Sequence, residues 1–276
     1  MHINKLLIVV LIFTLYHSSS YAKPSKNFHL YDNNLDVYFY PEQFNWKEFS
    51  ETGDRLLKDS GTLYAIGFSG SGPLSKEFSF NPKLYRVIAG GRFEYYWGSV
   101  DYDGQTWEGA PVKTDTIYKG MLFDGWMGWH FKITHTFGLG PIFGVGLNLW
   151  TRDIKSTSTA IGYEEDWQIY HFLLGANSEK IFPGMKFRIF AKAGVNIPFD
   201  NTNEADFGGC QKAKVHPDKY VPSVFTEGGF QLRKLKCALY YNSFEFDQSD
   251  VDDEYKMMLQ PKSKAETLGV RIALSF

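Results

Sequence analysis

Residues 137–150 read FGLGPIFGVGLNLW. Taken with a period of two, Phe137, Leu139, Pro141, Phe143, Val145, Leu147 and Leu149 fall on one face. Gly138, Gly140, Ile142, Gly144, Gly146 and Asn148 fall on the other. One face is apolar throughout and the other is small or polar. That pattern describes a strand with lipid on one side and a crowded interior on the other. A strand of a soluble sandwich also alternates, but its polar face carries charge rather than glycine.

The pattern recurs outward from this stretch. In 85–97, Tyr85, Val87, Ala89, Gly91, Phe93, Tyr95 and Trp97 oppose Arg86, Ile88, Gly90, Arg92, Glu94 and Tyr96. In 185–197, Met185, Phe187, Ile189, Ala191, Ala193, Val195 and Ile197 oppose Lys186, Arg188, Phe190, Lys192, Gly194 and Asn196. Leu235, Cys237, Leu239 and Tyr241 oppose Lys236, Ala238, Tyr240 and Asn242. Each run approaches or slightly exceeds the ~9–11 residues of a tilted membrane strand. Strands are predicted near 36–49, 62–70, 84–98, 116–131, 135–151, 166–176, 185–198, 222–232, 235–246 and 266–276. Long polar connections (50–61, 99–115, 152–165, 199–221, 247–265) then alternate with short ones (132–134, 177–184, 233–234). The expected fold is all-β: an antiparallel transmembrane β-barrel of about ten strands, with 8–12 allowed. Two features sit awkwardly in it. The stretch 71–83 is long for an inner turn and suggests a plug or small helix, and Pro141 in mid-strand suggests a bulge. A soluble exported sandwich is the rival fold.

The last strand is ETLGVRIALSF, Glu266 to Phe276. Leu268, Val270, Ile272, Leu274 and Phe276 share one face. This resembles the C-terminal assembly signal of bacterial outer-membrane β-barrel proteins. WKEFSETGDRLLKDSGTLYAIG and QPKSKAETLGVRIALSF look more loosely like segments of small, porin-like barrels of that class. The resemblance implies residence in the outer membrane of a Gram-negative cell, recognition by the barrel-assembly machinery, and lipid and lipopolysaccharide as surroundings. It brings no activity with it.

The start of the chain agrees. Lys5, the apolar Leu6 to Tyr16, and Ser20-Tyr21-Ala22 read as a signal peptide over 1–22, leaving 23–276 as the barrel. Aromatic residues make up 17% of the 276 residues and there are 26 glycines, which favours strands over helices. A net charge of -2 gives no case for nucleic acid as a partner. Cys210 and Cys237 allow one disulfide but are expected to stay unpaired. A monomer without cofactor or metal is expected.

Candidates for chemistry lie mostly on the inferred inner face. They are Arg86, Arg92, Glu94, Asp124, Lys186, Arg188, Lys192, Glu227, Lys236 and Arg271. Such charges either fill a narrow interior with ion pairs or line a small pore, which their Lys and Arg excess would make anion-preferring. Trp46, Trp97, Trp126, Trp129, Trp150 and Trp167 lie near predicted strand ends and suit interfacial girdles. Omptin-type proteases use Asp and His at the outer rim, and the outer-membrane phospholipase uses Ser, His and Asn. The candidate histidines here are His29, His130, His135, His171 and His216, with Asp206 and Asp218 near the last. No segment matches either enzyme's motif. Asp250, Asp252, Asp253 and Glu254 form an acidic run without the glycine of an EF-hand loop. The expected role is a surface-exposed protein, structural and interactive or a narrow channel. A solute-binding barrel and a membrane-embedded hydrolase, catalytic residues unassigned, are the alternatives.

Overall fold

The computed structural model describes residues 33–74, 85–106, 109–182, 184–208, 212–217, 221–251 and 259–276. The leader at 1–22, His29, Cys210, Asp218 and the acidic run from Asp252 to Glu254 lie outside the described residues, as does most of 71–83. The strands are β1 Asn34–Phe49, β2 Arg55–Pro73, β3 Tyr85–Gln105, β4 Pro111–Lys132, β5 Phe137–Ile154 and β6 Glu164–Phe182. They continue as β7 Phe187–Asp206, β8 Lys212–Val215, β9 Ser223–Leu232, β10 Leu235–Phe246 and β11 Lys262–Ser275.

Each wall strand pairs antiparallel with its neighbour, and β1 pairs with β11, so the sheet closes on itself. Closure removes every edge at which another chain would add. The short β8 is no wall strand; it runs along the far end of β7, from Asn203 to Asp206. Ten strands therefore form the wall, as the alternation predicts. Tight turns at 133–136 and 233–234 mark the near end, where β1 begins. The longer connections mark the far end.

Several strands run well past their predicted bounds. The reason is a change of surroundings along the barrel. In the near half, Phe39, Ile66, Phe143, Leu174, Leu239 and Ile272 point outward and are exposed. That belt spans Leu268 to Leu274 on β11 and Phe276 just beyond it, close to the ~9–11 residues of a membrane-crossing strand. At its upper border Tyr95 stacks on Trp97 and Tyr64 lies tilted against the same indole, as amphipathic rings gather at a lipid–water interface. Above them the pattern inverts. The outward positions become Asn45, Lys47, Lys58, Ser60, Asp101, Asp153 and Lys264. The inward positions become Phe44, Trp46, Leu57, Tyr118, Trp150, Trp167, Phe244 and Phe246, one buried cluster. The barrel thus has a lipid-facing base with a polar bore and a head with a polar outside and an aromatic core.

The tryptophan expectation is corrected on this ground. Trp46, Trp150 and Trp167 are buried inside the head, and Trp126 faces the bore. Only Trp97 and Trp129 of the six lie on the outer face, because only at belt level does the outer face meet lipid. Pro141 causes no bulge either. Gly128↔Ile142 and Phe131↔Leu139 keep the same register on either side of it. The pairing to β4 lapses there, while the pairing to β6 continues through Pro141↔Ala176. Register shifts fall instead between Glu48 and Phe49 on the β1–β2 ladder and between Tyr170 and His171, opposite Pro198 and Asp200 on β7. There β7 also leaves β9, whose last pair on that side is Asn196↔Ser223.

Candidate functional site: the bore

Every inward candidate except Lys186 faces the bore. Lys186 sits exposed in the β6–β7 turn with φ +49°, and its carbonyl accepts from the Arg233 amide. The strand begins two residues later than the alternation suggests, at Phe187 and not Met185, because the turn needs that left-handed backbone. Arg86 pairs across the ladder with the inward His130, which places it on the inner face near the mouth.

The bore is built in layers. At the near end Lys236 Nζ lies 2.7 Å from Asp36. Arg188 donates to Gln231 at 2.8 Å and to Asn34 at 2.7 Å, and pairs with Glu179 at 3.4 Å. In the middle layer Arg92 Nε donates to Asp124 at 2.9 Å, and His171 Nε2 lies 3.1 Å from the other Asp124 oxygen. Glu94 accepts from Arg271 at 2.8 Å and from the Tyr38 hydroxyl at 2.9 Å. Arg271 also reaches Glu227 at 3.2 Å, and its guanidinium is caged by the rings of Tyr38, Tyr40 and Tyr240. Tyr240 bonds Glu42.

The inward glycines of β5 make this packing possible. A Cβ on Gly146 would strike Asp124 and His171, and one on Gly138 would strike His130. Those glycines hold open the volume that two buried imidazoles occupy.

The head contains a layer that the alternation did not reveal. Arg152 is fully buried and bonds three carboxylates: Asp59 at 2.9 Å, Glu48 at 3.1 Å and Glu165 at 3.1 Å. The indole N–H of Trp46 donates to Glu48 at 2.8 Å and that of Trp167 to Glu165 at 3.0 Å. The Tyr118 hydroxyl donates to Asp59 at 2.6 Å. Burial pushes the Glu48 and Asp59 carboxyls above their ordinary range, against the pull of Arg152, and three acids around one cation sharpen the effect. A signal for this layer exists in the sequence. Trp46 and Glu48, and Glu165 and Trp167, stand two apart on one strand face, so each tryptophan reaches its own glutamate.

The two layers leave little free space. A cavity of about 50 Å³ lies between them, lined by Glu42, Arg92, Tyr96 and Trp150 among others. Above it, Trp46, Arg152, Asp59 and Ile169 have no exposed surface at all, and they sit on strands from opposite parts of the wall. Below the middle layer a second cavity of about 160 Å³ reaches the near end.

The histidines do not assemble at the far rim. His216 Nδ1 lies 3.1 Å from the Asn201 carbonyl, while Asp206 accepts from the Gly208 amide at 2.9 Å and pairs with Lys212 at 3.2 Å. His135 is exposed in the β4–β5 turn, and His130 lies 3.8 Å from Glu179. His171 and Asp124 form a close pair, but each side chain is only 1% exposed. Among the described residues no group of three or more His, Cys, Asp or Glu is placed to hold a metal ion. Cys237 is a free thiol.

No protein-family model and no curated protein sequence matches this chain. Solved structures do. The outer membrane protease OmpT from Escherichia coli matches 94% of this chain and 100% of its own, at 10% identity and a TM-score of 0.57. The fold is that of a bacterial outer-membrane β-barrel. The translocator domain of the autotransporter NalP from Neisseria meningitidis matches 97% of this chain and 94% of its own, at 8% identity and a TM-score of 0.41. The attachment invasion locus protein Ail of Yersinia pestis matches 89% of this chain and 99% of its own, at 10% identity and a TM-score of 0.33. At such identities the likeness concerns the path of the chain and not its chemistry.

Proposed function

We propose that this chain resides in the bacterial outer membrane as a barrel with a closed bore, whose base anchors a rigid head and its loops at the cell surface. Its role on this reading is structural and interactive, not conductive. The observation that carries it is the Arg152 layer. A guanidinium with no exposed surface, three carboxylates and the packed rings of Trp46, Trp167 and Phe246 cross the head from wall to wall. An ion crossing that section would have to displace paired buried charges and close-packed aromatic rings, both costly. The belt from Leu268 to Phe276 supports the membrane setting, with lipid and lipopolysaccharide around it. The chain works as a monomer on this reading, its closed wall leaving no edge for another chain to extend, and its final strand is the element that the assembly machinery reads.

Planar-bilayer recording tests the closed bore. Purified barrel is expected to insert without discrete conductance steps, and the Arg152→Ala variant to behave alike or flicker. Stable ohmic steps from the native chain, of either ion preference, would overturn the reading in favour of a channel.

A further inference from the structure

The cavity below the middle layer opens toward the end where β1 begins. Its wall carries the cations Arg92, Arg188, Lys192, Lys236 and Arg271 and the anions Asp36, Glu179 and Glu227. The anions are all engaged: Asp36 by Lys236 at 2.7 Å, Glu179 by Arg188 at 3.4 Å and Glu227 by Arg271 at 3.2 Å. Asp124 and Glu94, set behind this wall, engage Arg92 and Arg271. The charges balance five to five, but Arg271 takes two of the carboxylates, so one cation is left without an ion pair of its own. Lys192 has no carboxylate within ion-pair distance and no hydrogen-bond acceptor among the described residues. Its ammonium rests instead over the rings of Trp126, at 5.1 Å, and Phe225, at 5.5 Å.

That arrangement is half of a binding site. Aromatic faces attract a cation, but they do not take up the three N–H donors of an ammonium. A charge withdrawn from bulk water into a bore is stabilised by an anion that accepts those bonds. Arg271 Nε, also on this wall, is a buried donor without a partner. Lys192 and Arg271 stand among neutral hydrogen-bonding groups from Ser69, Asn177 and Ser178. The space is large enough for a phosphate or a small carboxylate with a few waters.

We infer that this cavity binds a small oxyanion, held mainly by Lys192 and completed by Arg271 and Lys236. The inference goes beyond the closed-bore reading and does not depend on it, since a ligand from the near end never meets the Arg152 layer. Inorganic phosphate and carboxylates share the required chemistry, two or more oxygens carrying negative charge.

The test uses the full chain, refolded in neutral detergent at low salt. Inorganic phosphate, sulfate and acetate are titrated in separate calorimetric runs. Saturable binding of at least one of them, one ion per barrel, is expected. Which ion binds tightest separates a phosphate site from a carboxylate site. Lys192→Met should weaken it roughly ten- to a hundredfold, the worth of one charge-assisted contact, while heat-modifiable gel mobility is kept. A second measurement needs no variant. Acetylation mapped by mass spectrometry should show Lys192 protected by the bound ion and the outward Lys119 unaffected. Absence of saturable binding by all three ions, equal binding in folded Lys192→Met, or no protection of Lys192 would each overturn the proposal.

Discussion

Phe276 and Leu35 exchange both of their backbone hydrogen bonds: the Phe276 amide donates to Leu35 at 2.8 Å, and the Leu35 amide donates back at 3.2 Å. They are the outermost rung of the β1–β11 seam that closes the barrel, continuing the register Asp36↔Ser275 and Val37↔Leu274. The Phe276 ring points outward, 65% exposed, with the Lys234 ammonium 5.4 Å from its centre. The ring therefore contributes little to packing within the barrel, while the backbone beneath it helps to close the wall. Phe276→Ala keeps the backbone bonds and removes the ring. Assembled protein at the cell surface should fall several-fold, with the unfolding free energy of barrel refolded in detergent changed by no more than about 1 kcal/mol. Unchanged surface levels would remove the ring from the assembly signal.

The Arg152 layer predicts a large effect from a single substitution. Arg152→Met leaves Asp59, Glu48 and Glu165 facing one another without their common partner. Breaking a buried pair in this way costs about 3–5 kcal/mol. Urea unfolding in detergent should show that loss, whereas the exposed pair Arg55–Asp103, at 3.1 Å and half in solvent, should cost under ~1 kcal/mol when Arg55 is replaced by Met. Similar losses at the two sites would mean that the head layer is solvated.

The same layer gives stability a pH dependence of definite sign. The folded head holds the Glu48 and Asp59 carboxyls above their ordinary values of about 4. In the window above those values the folded chain binds more protons than the unfolded one. Stability from this source is therefore full below about pH 4 and declines as pH rises through the raised folded values. Glu48→Gln keeps an acceptor for the Trp46 indole and removes one acid. Its unfolding midpoint should change less between pH 4 and pH 8 than that of the native chain. An equal or steeper change would sink the assignment.

Glycine packing in the bore is open to a direct check. Gly146 faces the close pair of Asp124 and His171, and a methyl group there has no space. Gly146→Ala should destabilise the refolded barrel by about 1–3 kcal/mol, the usual cost of overpacking. Gly228, whose Cβ would meet only one backbone atom at 3.9 Å, is the control and should tolerate alanine. Equal tolerance at both positions would mean that the His171 ring moves aside readily.

How far the sequence could be read depended on what lies outside each strand. Where lipid lies outside, as at Phe143, Val145 and Leu147, the outward residues are uniformly apolar and the period of two is plain. In the head, Lys58, Asp59 and Ser60 have the same geometry, but the outward neighbours are polar and the inward Asp59 is charged. Nothing in that triplet looks like a strand, so 50–61 reads as a loop. Trp46 and Trp167 mislead for a related reason: a tryptophan near a strand end fits an interfacial girdle as well as it fits the core of a head. Of the inner charges, Arg86, Arg92, Glu94, Asp124, Arg188, Lys192, Glu227, Lys236 and Arg271 are legible from phase alone. Their pairing is not, because partners such as Arg271 and Glu94 come from strands far apart in the chain and meet only across the closed bore.

That division between base and head makes a prediction about depth. Val145 lies on the lipid face of β5, and Ser60 lies outward on β2 in the head. Val145→Arg puts a charge into hydrocarbon and should cost about 2–4 kcal/mol on folding into a bilayer. Ser60→Arg puts the same side chain into water beside Asp101, its cross-strand neighbour, and should stay within about 0.5 kcal/mol of the native chain. Folding titrations into vesicles measure both. The two positions are each outward on a wall strand, so local strand propensity does not separate them; only the medium outside does. If Ser60→Arg proved as costly as Val145→Arg, the membrane would have to reach the head, and the boundary marked by Tyr64, Tyr95 and Trp97 would lie elsewhere on the barrel.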